Sequence, residues 1–152
     1  MTSTRVARHL DAPPDAVYRA LIDRATVARW RFPRGMTCEV HEWEARAGGA
    51  IRVSLTYEAA DQAGKTSAHT DTYRGRFVTL MPDELVVEVD EFETSDPNLQ
   101  GEMTVTVRLT AADGGTDLEA IHDGLPPGVR PSDNELGWQE ALDRLAALLE
   151  RG

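Results

Sequence analysis

The last nineteen residues, Asn134 to Gly152, place the strongest constraint on how this chain can fold. Apolar side chains recur there at the spacing of one helix face, at Trp138, Ala141, Leu142, Leu145, Leu148 and Leu149. This periodicity predicts a long amphipathic helix. A capping box over Ser132–Glu135 predicts where it begins. A stripe of this length has to be covered by another large element of the same domain.

The segments ahead of this helix alternate apolar and polar residues, which is the pattern of half-buried strands. Ile51–Tyr57 and Met103–Leu109 show it most clearly. Further strands are predicted over Arg5–Leu10, Thr37–Trp43, Thr70–Leu80, Leu85–Phe92 and Thr116–His122, with a long loop over Glu58–His69. Two short helices are predicted after the first strand, one opened by Pro13 and Pro14 and one reaching Trp30.

Short connections between successive strands favour an antiparallel meander. The sequence therefore predicts an α+β fold in which a curved antiparallel sheet of six to seven strands wraps around the long C-terminal helix. A sheet that curls around one helix leaves a hollow between the two. We expect a single domain over residues 1–152, because this length is typical of one hydrophobic core.

Composition excludes several classes of protein. The net charge of −10 argues against a nucleic-acid partner. No apolar run approaches the roughly 20 residues that a membrane-spanning helix needs, so no membrane partner is expected. The single cysteine, Cys38, cannot form an internal disulfide and suits a reducing compartment. Arg5, Arg8 and His9 interrupt any signal-peptide core, and we expect a cytoplasmic protein.

Charge is distributed unevenly along the chain. The first 34 residues hold seven arginines against three aspartates. The densest acidic run comprises Asp83, Glu84, Glu88, Asp90, Glu91, Glu93 and Asp96. Two interpretations of this run stay open. It is a solvated strand face and loop that favour solubility, or a docking face for a basic partner.

Six short segments, in order and spacing, resemble the START-like or SRPBCC superfamily, which has the helix-grip fold. They are Ala12–Leu21, Trp30 with Phe32-Pro33, Arg46–Gly49, Gly75 with Pro82–Leu85, Thr116–Gly124, and Gly137-Trp138 with Leu142 and Leu145. Within it, the chain is most similar to the group that resembles the C-terminal domain of the activator of the ninety-kilodalton heat-shock-protein ATPase. This group is functionally diverse, so the resemblance implies the fold more than an activity.

The resemblance implies a cavity between the sheet and the C-terminal helix, with its mouth near Trp30 and Phe32. Parity along each strand then predicts which other side chains face inward, although a bulge would invert it. The expected cavity-lining residues are Trp30, Phe32, Val53, Tyr57, Tyr73, Phe77, Val87, Val89, Met103, Val105, His122 and Trp138. With this parity Arg52 points outward; the opposite parity would make it an anchor for an anionic ligand.

Chemistry-bearing residues are few. His122 is either a buried, hydrogen-bonded histidine or a ligand contact with an acid–base role. The histidines are dispersed and no cysteine pair exists, so neither a metal nor another cofactor is expected. The first hypothesis is binding of a small hydrophobic molecule of lipid, aromatic or polyketide-like type. The resemblance adds two alternatives, a cyclase or dehydratase using His122 with a tyrosine, and a module that binds a chaperone or a second copy.

Overall fold

A computed structural model describes residues 2–58 and 69–150 of the chain. The loop predicted over Glu58–His69 lies almost entirely outside the described residues. Seven strands form one antiparallel sheet, as predicted. They are β1 (Ser3–Leu10), β2 (Met36–Trp43), β3 (Ala50–Tyr57), β4 (Thr70–Met81), β5 (Leu85–Phe92), β6 (Met103–Ala112) and β7 (Gly115–Asp123). The helices are α1 (Pro14–Ile22), α2 (Arg24–Trp30) and α3 (Pro131–Glu150).

The strand order is β1-β7-β6-β5-β4-β3-β2, so only β1 leaves the sequential meander. The excursion of the chain through α1 and α2 separates β1 from β2, which therefore form opposite edges. Register shifts interrupt β2 between Val40 and Glu42 and β4 between Phe77 and Thr79. Bulges of this kind increase local twist and bend a strand. The sheet curls into a half-barrel with α3 along its concave side.

The core lies between the concave face and the three helices. Leu142 and Leu145 of α3 are fully buried in it, as the apolar stripe predicts. The helix begins at Pro131, because the amides of Asp133 and Asn134 bond to the carbonyl oxygen of Arg130. The predicted capping box is therefore wrong: Ser132 lies inside the first turn, and proline takes the first position, where its missing N–H costs nothing.

Two tryptophans attach the short helices to the sheet. Trp30 closes α2 and donates from Nε1 to the carbonyl oxygen of Ala20 at 2.9 Å, while Trp43 of β2 donates to that of Ile22 at 2.9 Å. These bonds satisfy carbonyl groups in the last turn of α1 that the helix itself leaves open. They fix the chain just after α2, where the candidate site begins.

Candidate functional site

A cavity of about 460 Å³ opens between α3, the segment after α2 and the concave face of the sheet. Its volume lies within the range of small-molecule sites in proteins. Most of the wall is aromatic or aliphatic, with side chains from Phe32, Met36, Leu55, Tyr57, Tyr73, Phe92, Met103, Val105, Val129, Leu136, Trp138 and Ala141. The polar side chains of the wall include Arg31, Asp90, His122 and Asn134.

Arg31 sits at the floor of this cavity because α2 ends one residue earlier, at Trp30. Its guanidinium carbon lies 5.6 Å from the centre of the Trp43 ring and 5.4 Å from that of Trp138. Nη1 donates to Glu88 Oε1 at 2.6 Å, and the two side chains are 13% and 1% exposed. A guanidinium is planar and weakly hydrated, so it can fill a slot between two aromatic rings.

Glu88 and Asp90 alternate along β5 and place both carboxyl groups on the concave face. Burial opposes ionisation of Glu88 most strongly, but the charge of Arg31 together with the hydrogen bonds to Asp90 and Arg31 holds the pKa of Glu88 below its usual range. Burial, and then the charge of Glu88, raise the pKa of Asp90 well above its usual range. The pair therefore keeps a proton to higher pH than two separate carboxyls would, and Asp90 carries it.

That proton also explains two atoms that otherwise lack partners. Glu88 Oε2 and Asp90 Oδ1 are buried with no hydrogen-bond partner among the described residues if both groups are ionised. The two side chains lie within hydrogen-bond reach of each other. A protonated Asp90 can donate to Glu88 and satisfy both oxygens with one bond, which two carboxylates cannot do.

Gly75 of β4 makes room for this arrangement. It lies directly across from Asp90 in the β4–β5 register. A Cβ atom at Gly75 would lie 2.4 Å from Asp90 Oδ1 and 2.0 Å from the carbonyl oxygen of Val89. No side chain fits at that distance, so the buried carboxyl depends on glycine at this position.

His122 forms the adjoining wall, at the end of β7. Trp138 Nε1 and Asn134 Nδ2, both on α3, each lie 3.2 Å from His122 Nδ1, and Met103 Sδ lies 3.2 Å from Nε2. Indole N–H can only donate, so Nδ1 accepts and the ring proton sits on Nε2. Burial, and then the nearby charge of Arg31, lower the pKa of His122 to about 4. The imidazole is therefore neutral at neutral pH.

Tyr73 and Cys38 complete the polar surroundings of the floor. Burial raises the pKa of the Tyr73 hydroxyl, with the Arg31 charge opposing it. Burial likewise raises the pKa of the Cys38 thiol to about 11. Tyr73 is therefore a neutral hydroxyl in the cavity wall, and Cys38 is a thiol with little nucleophilic character. Across the described parts of the chain, no three His, Cys, Asp or Glu side chains are grouped to hold a metal ion.

Seven of the twelve residues predicted to line the cavity lie in its wall: Phe32, Tyr57, Tyr73, Met103, Val105, His122 and Trp138. Trp30, Val53 and Phe77 instead belong to the filled core, each at most 1% exposed. Trp30 is not at the cavity mouth, because its bond to Ala20 turns the indole under α1.

The predicted phase of β5 is wrong. Val87 and Val89 are half-buried on the outer face, whereas Val86, Glu88 and Asp90 point inward. The acidic run is therefore not uniformly solvated, since two of its members lie inside the protein. Arg52 does point outward as expected, where Nε and Nη2 donate to Glu93 at 2.7 and 3.0 Å. Arg31 was not predicted from the sequence, where only the neighbouring Trp30 and Phe32 gave a signal.

A half-barrel sheet closed by one C-terminal helix over a cavity defines a helix-grip protein. The family model described as "Activator of Hsp90 ATPase homolog 1-like protein" matches residues 11–150, and the chain belongs to that family. No helix among the described residues combines the length and apolar character needed to cross a membrane.

Solved structures agree with this assignment. A protein of Chromobacterium violaceum is 36% identical, with 97% of this chain and 96% of that one covered and a TM-score of 0.87. The AHSA1 protein of Silicibacter pomeroyi is 19% identical over 98% of each chain, with a TM-score of 0.79. A Rhodobacter sphaeroides protein is 24% identical over 99% and 93%, with a TM-score of 0.76. The last two support the fold alone. No curated protein matches the sequence.

Proposed function

We propose that this protein binds a small, largely apolar molecule in the cavity between α3 and the sheet. The observation that carries the proposal is the cavity itself, about 460 Å³ in volume and walled mainly by aromatic and aliphatic side chains. Burial of apolar ligand surface contributes about 25 cal/mol per Å² before the costs of association. The few polar groups at the floor would then fix the orientation of the ligand.

The test is a thermal-shift and calorimetric screen of apolar compounds, paired with mass spectrometry of small molecules extracted from the purified protein. Ala141→Leu places a larger side chain in the cavity wall, because Ala141 is buried on the inner side of α3. Ala147→Leu makes the same change on the exposed side of that helix. We expect the first variant to bind a screening hit at least about tenfold more weakly and the second to bind it normally.

Two results would contradict ligand binding at this site. One is a screen in which no apolar compound binds the wild-type protein. The other is an Ala141→Leu variant that folds and binds the hit as tightly as the Ala147→Leu control.

A cyclase or dehydratase using the same cavity is the second candidate. It is favoured by Asp90, an acid in the cavity wall that keeps its proton to unusually high pH. His122 suits the role less well than Asp90, because Trp138 and Asn134 occupy the lone pair of its basic nitrogen. An acid at this position could break its own bond to Glu88 and protonate a leaving hydroxyl, and the resulting carboxylate could then accept the proton that the α-carbon of the substrate loses.

The enzyme candidate is tested with 4-hydroxy-4-phenyl-2-butanone, whose dehydration releases water and gives a conjugated enone. Enone absorbance should rise faster with the wild-type protein than in buffer, and Asp90→Asn should remove the difference. An equal rate in protein and buffer would count against dehydration of this substrate class and leave binding as the function.

A further inference from the structure

At the floor of the cavity, Arg31, Glu88 and Asp90 form a cluster of one cation and two carboxyl groups. Arg31 is matched by Glu88 at 2.6 Å, and the two side chains are almost fully buried. Asp90 is 4% exposed and also lines the cavity, and the proton that it shares with Glu88 accounts for its buried Oδ1. The geometry leaves this third group without a counter-charge, so a proton or a bound cation has to supply it.

We propose, resting on the function proposed above, that the cavity selects ligands whose inner end donates a hydrogen bond to Asp90, as an alcohol or a protonated amine does. Asp90 donates its own proton to Glu88, so the lone pairs left on its carboxyl can only accept. A ligand hydroxyl can donate to them directly. An ammonium group supplies the missing charge as well, and Asp90 then releases its proton to water.

The surrounding wall suits both kinds of ligand. The rings of Tyr57, Tyr73, Phe92 and Trp138 lie around the cavity and pack against hydrocarbon or face a cation. A carboxylate ligand meets the opposite situation, because Arg31 is already paired with Glu88. Its negative charge would have to be buried beside two acids, which disfavours binding.

Four naphthalenes of similar size test this selectivity by isothermal titration calorimetry at pH 7. They are 2-naphthalenemethanol, 2-naphthalenemethylamine, 2-methylnaphthalene and 2-naphthoate. We expect the alcohol and the amine to bind at least about tenfold more tightly than 2-methylnaphthalene, and 2-naphthoate more weakly than all three. Titrations in buffers of different ionisation enthalpy should detect release of roughly one proton on amine binding and none on alcohol binding.

Two variants of Asp90 distinguish the effect of its hydrogen-bond-accepting oxygen from the effect of its charge. In Asp90→Asn the amide N–H donates to Glu88 and the carbonyl oxygen stays available, so affinity for the alcohol should change less than about threefold. Affinity for the amine should fall at least about tenfold, and proton release should disappear. Asp90→Leu should abolish the preference for both. Glu91→Gln, on the outer face of the same strand and paired with Arg74, is the matched control.

The outcomes distinguish this inference from the function on which it rests. If all four naphthalenes bind the wild-type protein equally, or 2-naphthoate binds most tightly, the role of Asp90 is wrong and ligand binding stands. If none of them binds, both proposals fall. An Asp90→Asn variant that keeps full amine affinity and proton release would also overturn the inference. This test remains decisive if Asp90→Leu fails to fold.

Discussion

The contacts of His122 favour the first of the two roles that its sequence position left open. It is a half-buried, hydrogen-bonded histidine, and it also lines the cavity. The two donors from α3 fix the orientation of the ring and leave the proton on the nitrogen that faces Met103. The same contacts join the end of β7 to the first turns of α3. One residue thus couples the shape of the cavity wall to the docking of the helix.

Replacing His122 with glutamine should remove a pH dependence of stability. The pKa of His122 is about 4 in the folded protein, below the ordinary histidine value of 6.5. The unfolded chain therefore binds more protons between these values, and stability is lost as pH falls from 6.5 to 4. The full contribution is roughly 3 kcal/mol. Urea unfolding of both proteins across this range measures it.

The comparison has to be made between the two proteins, because Asp90 acts with the opposite sign. Its pKa is raised in the folded state, so its contribution is present at low pH and is lost as pH rises through the folded value. Asp90 is unchanged in His122→Gln, and its effect cancels in the difference. Parallel stability curves for the two proteins would show that His122 is not the group that titrates.

At the scale of elements, alternation along each strand predicted the sheet, but it did not always predict which alternate residues face inward. Within β5 the chain reads Leu85, Val86, Val87, Glu88, Val89, Asp90. Burying Val87 and Val89 and leaving both acids in solvent is the arrangement that hydrophobicity favours. The real inward set is Val86, Glu88 and Asp90. The acids are tolerated because Arg31, 57 residues away in the sequence, reaches them from the end of α2. Strand periodicity contains no information about such a partner.

In β6, apolar and polar residues alternate without interruption, and the sequence predicted correctly which side chains point inward. Met103, Val105, Val107 and Leu109 are all buried, because no polar residue competes for the inward positions of β6. Gly75 shows what the sequence could not predict. Its place in the sequence marks a close approach, but only the β4–β5 register reveals that the approaching group is a carboxyl.

Arg31→Met should destabilise the protein by about 3–5 kcal/mol, because it leaves Glu88 buried without its cation. Adding Glu88→Gln to this variant should restore part of the loss, since the uncompensated charge is then gone. Arg34→Met is the control: Arg34 lies 3.9 Å from Glu140, its side chain is 73% exposed, and exposed pairs of this kind contribute at most about 1 kcal/mol. Urea unfolding reports all three. A loss below about 1 kcal/mol for Arg31→Met would contradict a structural role for the pair.

At the scale of the whole molecule, the basic first segment forms ion pairs with acids from later parts of the chain. Arginines of the basic first segment pair with acids from much later in the sequence, as Arg8 does with Asp143 of α3 and Arg5 with Glu119 of β7. The same segment supplies Arg31 to the cavity floor. Much of the charge asymmetry therefore serves contacts within the fold, although the whole protein keeps a net charge of −10.

The curled sheet and α3 enclose more space than their side chains fill, so folding and ligand binding should be coupled. A ligand that binds only the folded state adds about 2.7 kcal/mol to the free energy of unfolding at a hundred times its Kd. For a chain of 152 residues this corresponds to a rise in Tm of roughly 5–11 °C.

The measurement is a series of thermal unfolding curves with increasing amounts of a calorimetrically confirmed ligand. Because linkage is logarithmic, Tm should keep rising after the cavity is saturated, by about 1.4 kcal/mol of stability for each further tenfold increase in ligand. A Tm that stops rising at one equivalent, or that rises equally in Ala141→Leu, would mean that the compound acts elsewhere than in this cavity.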